Sequence, residues 1–197
     1  PVPFPVVPGT QDAYAIGRGA WHQALFQIDL NSSAERELLF ESADADVTEP
    51  VFAGDGHLLG TRLDTERPSV HYLNARDRSV AAAIDRLLPD SFNEIVDVTP
   101  DRHVYVIRSS SDVNAGIYYL LDTKSGNGEL GKIGAAFPDI DAATVQKMRS
   151  FVVESHGGRT TRGFVSSPLG AAEDSLPLVV MPDDGPHGRT AWRYSFL

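Results

Sequence analysis

Three stretches of this chain share one pattern, a short run of alternating apolar and polar positions that ends in arginine. They read DAYAIGRG, GHLLGTRL and RHVYVIRS, and their arginines are Arg18, Arg62 and Arg108. A period of two turns one face of an extended strand to a core and the other to water. A second apolar run follows each: ALFQIDLN, SVHYLNAR and GIYYLLDT. A third comes next: ERELLFES, SVAAAIDRLL and GELGKIG. AGDG at 53–56 and TPDR at 99–102 precede the second and third arginine strands. Gly and Asp tolerate positive φ and Pro pre-sets it, so both read as hairpin turns.

The arginines lie 44 and 46 residues apart, a repeat length typical of propeller blades. Residues 1–136 are therefore expected to form a partial β-propeller of about three four-stranded antiparallel blades. Evenly spaced hairpins also suit an ordinary β-sandwich, and that reading stays open. SVAAAIDRLL is the least regular run, because Ala and Leu favour helix.

The alternation stops near residue 137. PDIDAATVQKMRS reads as a linker with one helical turn, and Asp141 is placed to cap it. FVVES, Gly157-Gly158 and TTRGFVSSP then read as a hairpin. After the polar LGAAEDS comes LPLVVMP at 176–182. Its continuous apolar, β-branched character predicts a strand buried on both faces, as inside an α/β sheet. Residues 137–197 thus read as a linker followed by the first strands of a different domain.

Composition narrows the function. Hydrophobic residues make up 42% of the chain and charged ones 22%, which predicts a folded, soluble protein. A net charge of −10 repels phosphate backbones and argues against nucleic acid as a partner. No apolar run approaches the length of a membrane span, so no membrane partner is expected. The chain has no cysteine, which excludes disulfides, thiolate metal sites and cysteine nucleophiles. Its first residues, PVPFPVVPGT, lack a basic region and carry too many prolines for a signal peptide. Cytoplasmic location and export with the signal removed both remain open.

RSFVVESHGGRTTRGFVSSP, continuing to LPLVVMPDDGPHGRTAWRY, resembles the opening of the α/β-hydrolase domain in the prolyl oligopeptidase family of serine peptidases. The acylaminoacyl-peptidase and dipeptidyl-peptidase branch is most similar. The matching features are an R/H-G-[FY] step in a hairpin, a P-L-V-V strand and a P-H-G-G-P turn. The resemblance covers roughly residues 148–195. It implies a propeller that screens peptides, and a hydrolase that cleaves them through an acyl-serine intermediate. In the family this turn helps build the oxyanion hole. Pro182, Gly185 and Pro186 match its pattern. Asp183 stands where His or Tyr is usual, and Asp184 where the first Gly is usual. A carboxylate there would repel a developing oxyanion, and losing one oxyanion donor costs about 3 kcal/mol. Asp183, Asp184, Gly185 and Pro186 thus form a degenerate oxyanion turn, or else simply a solvated turn of turn-forming residues.

No G-x-S-x-G nucleophile elbow occurs in the sequence. In this fold serine, aspartate and histidine follow in that order, so all three would lie beyond Leu197. The chain alone is expected to be inactive, with no catalytic residue of its own. The alternative is a non-catalytic β-repeat module that binds a partner protein, and a secreted sugar-binding β protein is a third reading. Open blade and strand edges predict self-association. No cofactor is expected. The six histidines show no HxH or HExxH spacing, so no metal is expected either. Asp44 and Asp46 lie in an acidic loop that could hold calcium but lacks the EF-hand frame. Trp21 and His22 read as a wedge between blades or as a ligand contact. Asn31-Ser32-Ser33 is a glycosylation sequon.

Overall fold

The computed structural model describes residues 2–6, 11–32, 36–63, 65–124, 128–154, 156–171, 176–182 and 190–195. Its architecture is mainly β, with small antiparallel sheets in a row. The first sheet contains β1 (Val2–Val6), β2 (Asp12–Arg18), β3 (Gln23–Asp29) and β4 (Arg36–Glu41), each paired with the next. The second holds β5 (Val47–Phe52), β6 (Leu58–Leu63) and β7 (Ser69–Tyr72), followed by helix α1 (Ala75–Leu87). The third runs β8 (Phe92–Val98), β9 (Val104–Ser110), β10 (Ile117–Asp122) and β11 (Leu130–Ala135). These are blade-like meanders, and the arginine strands are β2, β6 and β9.

The second blade departs from the expected four strands. SVAAAIDRLL is helical, because local signals favour helix over a strand at the sheet edge. Asn74 caps α1 by accepting from the Arg76 amide at 2.8 Å. Three consecutive alanines then supply high helix propensity. Ile84 inserts into the core beside Tyr72, Ile95, Tyr105 and Ile107. That core joins the second and third blades. The Tyr72 hydroxyl accepts from the Ile95 amide at 2.7 Å, tying β7 to β8.

Between the first and second blades, β2 and β3 pack on β5. Ala13, Ala15, Ala24, Leu25 and Val47 are buried there. Tyr14 and Phe52 meet in a tilted ring contact at 5.8 Å. Phe40 of β4 stacks on His71 of β7 at 3.8 Å.

Beyond the third blade, Asp141 caps a short 3-10 turn at Ala142–Thr144 by accepting from the Ala143 amide, as expected. β12 (Arg149–Glu154) and β13 (Thr160–Val165) form the expected hairpin. Phe151 lies across from Gly163, where an added Cβ would stand 2.6 Å from the ring. The glycine of the Arg162-Gly163-Phe164 step is thus what lets the aromatic ring lie against the sheet.

The expected buried strand at 176–181 is not formed. These residues have no strand pairing, and Leu178, Val179 and Val180 are 81%, 79% and 75% exposed. A strand needs a neighbour to satisfy its backbone, and among the described residues none lies alongside. Trp192 does fold back and is buried. The guanidinium of Arg67, in the β6–β7 loop, stands 4.6 Å over its ring. Beside it Glu66 pairs with Arg162 of β13 at 3.6 Å. One loop of the second blade therefore holds both the hairpin and the segment around Trp192.

Candidate functional site

The densest polar cluster joins the turns that open the second and third blades. Asp77, in the first turn of α1, is fully buried. Arg102 donates to its Oδ2, and the Tyr105 hydroxyl donates to its Oδ1 at 3.2 Å. Burial and this carboxylate push the Tyr105 phenol above its ordinary value. The other arm of Arg102 reaches His57 Nε2 at 3.2 Å, and His57 Nδ1 lies 2.5 Å from Asp55. Arginine only donates, so His57 Nε2 accepts and Nδ1 carries the proton toward Asp55. His57 holds the Asp55 carboxyl below the usual range, first through its backbone amide. The result is a chain, Asp55–His57–Arg102–Asp77–Tyr105, across two blades and a helix.

His103 repeats the theme one blade on. It precedes β9 as His57 precedes β6. Its Nδ1 lies 2.9 Å from Arg76 Nη2 and 3.3 Å from the Thr123 hydroxyl. The two histidines thus hold equivalent positions in their blades, and each faces an arginine. Lys124 pairs with Asp101 at 2.6 Å and holds its carboxyl far below the usual range.

A second cluster centres on Arg62. Its guanidinium reaches Glu49 of β5 and Glu94 of β8, the latter through Nε at 2.9 Å. Glu94 is buried and Glu49 half-exposed. This arginine bridges the leading strands of adjacent blades. Its counterpart Arg108 instead donates to the Ala115 carbonyl at 2.8 Å.

Neither cluster activates a nucleophile: Tyr105 donates to Asp77, but its phenol is pushed up rather than down. Both are ion-pair clamps between blades that offer charge but no activated hydroxyl. Arg62 is visible in the repeat and Arg102 only as part of the turn TPDR; their carboxylates are not visible, because Glu49, Asp77 and Glu94 come from other strands or the helix. Arg102 itself stands out only in the structure, as a bulky residue with φ 54° where a turn favours glycine.

Asp183, Asp184, Gly185 and Pro186 lie outside the described residues. Pro182 is described and exposed. Trp21 is not a wedge between blades: its side chain is 77% exposed, because the tight turn closed by the Gly19 amide on the His22 carbonyl carries it outward. Asp46 accepts from the Gln23 amide and pairs with His22 at 3.3 Å. Among the described residues no group of three His, Asp or Glu side chains is placed to hold a metal. No described helix is long and apolar enough to cross a membrane.

No family model and no curated protein matches the chain. Among solved structures it is similar to a puromycin-hydrolysing peptidase of Mycobacterium tuberculosis, with a TM-score of 0.51 and 14% identity. The match takes in 93% of this chain but spans only 29% of that peptidase. At this identity the likeness is one of fold.

Proposed function

We propose that this chain is the blade-and-junction part of a serine peptidase of the prolyl oligopeptidase type. The observation that carries the reading is a coincidence of two independent signals. The fold of 93% of the chain follows part of a peptidase, and LPLVVMPDDGPHGR, with the R-G-F hairpin before it, resembles the opening of that family's hydrolase domain. In such a protein the blades would screen peptide substrates. A serine on a further segment would attack the scissile carbonyl, and the oxyanion would form beside the turn at 183–186. Asp183 and Asp184 would weaken that turn, since carboxylates oppose the charge a hole must stabilise. The second reading, a non-catalytic β-repeat module that binds a protein partner, is favoured by these same two carboxylates.

The test is labelling with a fluorophosphonate, which needs an activated serine. The 197-residue chain is expected to remain unlabelled. The same chain, extended through whatever its source reading frame encodes next, is expected to label at a G-x-S-x-G serine. Labelling of the short chain would overturn its expected inactivity. An extended frame with no such serine would overturn the peptidase reading in favour of the binding module.

A further inference from the structure

An open groove of about 370 Å³ lies between α1 and the outer strands of the third blade. One wall is a stripe of the helix: Arg76, Val80, Ala83 and Leu87 recur at spacings of three and four, which places them on one face. Leu121 and Leu130 of β10 and β11 form the other wall. The groove exists because α1 replaces an outer strand in the second blade. Its size and apolar lining fall within the range of small-ligand sites.

The polar end is Arg76. Its Nη2 is held by His103 Nδ1 at 2.9 Å and by the Thr123 hydroxyl at 3.2 Å. Neither partner is a carboxylate. Arg62 and Arg102 each meet a carboxylate, whereas among the described residues none lies within 4.0 Å of Arg76. An anchored, uncompensated guanidinium therefore closes one end of an apolar trough in a chain of net charge −10. With both Nη2 hydrogens engaged, a carboxylate would take its charge-assisted hydrogen bonds from Nη1. The trough wall itself offers few polar groups, since the Ser79 hydroxyl already donates to the Ala75 carbonyl at 3.0 Å. A peptide laid there would bury unpaired amides, whereas an alkyl chain would not.

We propose that this groove binds a medium-chain alkyl carboxylate, with its carboxylate on Arg76 and its chain along Val80, Ala83 and Leu87. The proposal is independent of the peptidase reading.

The test uses 11-dansylaminoundecanoate fluorescence on the whole chain, with decanoate, decanol and a blocked Leu-Val peptide as competitors. Saturable one-to-one binding, displaced by decanoate, is expected. Arg76→Gln should weaken decanoate about tenfold and leave decanol unchanged, because only the carboxylate uses the charge. Ala83→Trp should fill the trough and abolish binding, with a cooperative thermal melt showing that the variant folds. If that variant does not fold, the decanoate–decanol contrast in Arg76→Gln decides alone. No saturable signal, equal loss of both ligands in Arg76→Gln, unchanged binding in folded Ala83→Trp, or a peptide that outcompetes decanoate would each overturn the proposal.

Discussion

Arg102 carries a conflict between backbone and side chain. Its φ of 54° lies in the left-handed region that glycine enters freely. TPDR reads as a turn from sequence, and a turn it is. The arginine persists there because its side chain meets Asp77, a carboxylate with no exposed surface. The partner was not legible, because Asp77 belongs to a helix whose run was read as a strand. Arg102→Gly would relieve the backbone by about 1 kcal/mol or less. It would also leave the buried carboxylate without its cation, which costs about 3–5 kcal/mol. The variant is therefore expected to be less stable, by about 2 kcal/mol or more. Adding Asp77→Asn should recover part of the loss, since a neutral amide tolerates burial better than an unpaired charge. Urea unfolding midpoints check this. An Arg102→Gly chain as stable as its parent would show that the turn, not the ion pair, sets the residue.

At the scale of elements, strands were legible wherever alternation and turn chemistry agreed, as in β2, β6 and β9. Helix α1 was legible only in part: its alanines and leucines favoured helix, but the thirteen-residue helix entered a repeat whose period predicted a strand. The capping Asn74 and the run of alanines were the local signals, and they outweighed the repeat. Contacts between blades were invisible for another reason: they join residues far apart in sequence. The Phe40–His71 stack between the first and second blades is one such contact. Burial, and then the charge of Arg78, hold His71 below the ordinary histidine value. Above about pH 6.5 the imidazole is neutral in both the folded and the unfolded chain, and its contribution is fully present. As pH falls through that value toward the depressed folded one, the unfolded chain takes up the proton first, so stability is lost. The melting temperature should drop between about pH 7.5 and pH 5, and His71→Phe should reduce the drop while keeping the stack. An identical drop in both proteins would exclude His71 as a source of acid sensitivity.

For the whole molecule, the row of blade-like sheets followed from the repeat length, but the state of LPLVVMP did not follow from its composition. A β-branched apolar run states that it belongs in a core; it does not say which surface will cover it. Here it is exposed. So are Phe151, Val152 and Val153 on β12. The run is also uncharged and, among the described residues, unpaired, the condition under which a segment adds to another chain's strand edge. A chain with this surface, taken by itself, is expected to associate. Light scattering of the 197-residue polypeptide should give a mass well above that of a monomer, rising with concentration. Val179→Lys should move the distribution toward monomer, because a charge at the centre of the run opposes strand addition without touching the blade core. Lys at Trp21 is the control: that side chain is as exposed as Val179 but stands at the tip of a blade turn, so its replacement should leave the association intact. A wild-type monomer at high concentration, or an oligomer indifferent to Val179→Lys, would show that the run is harmless where it stands.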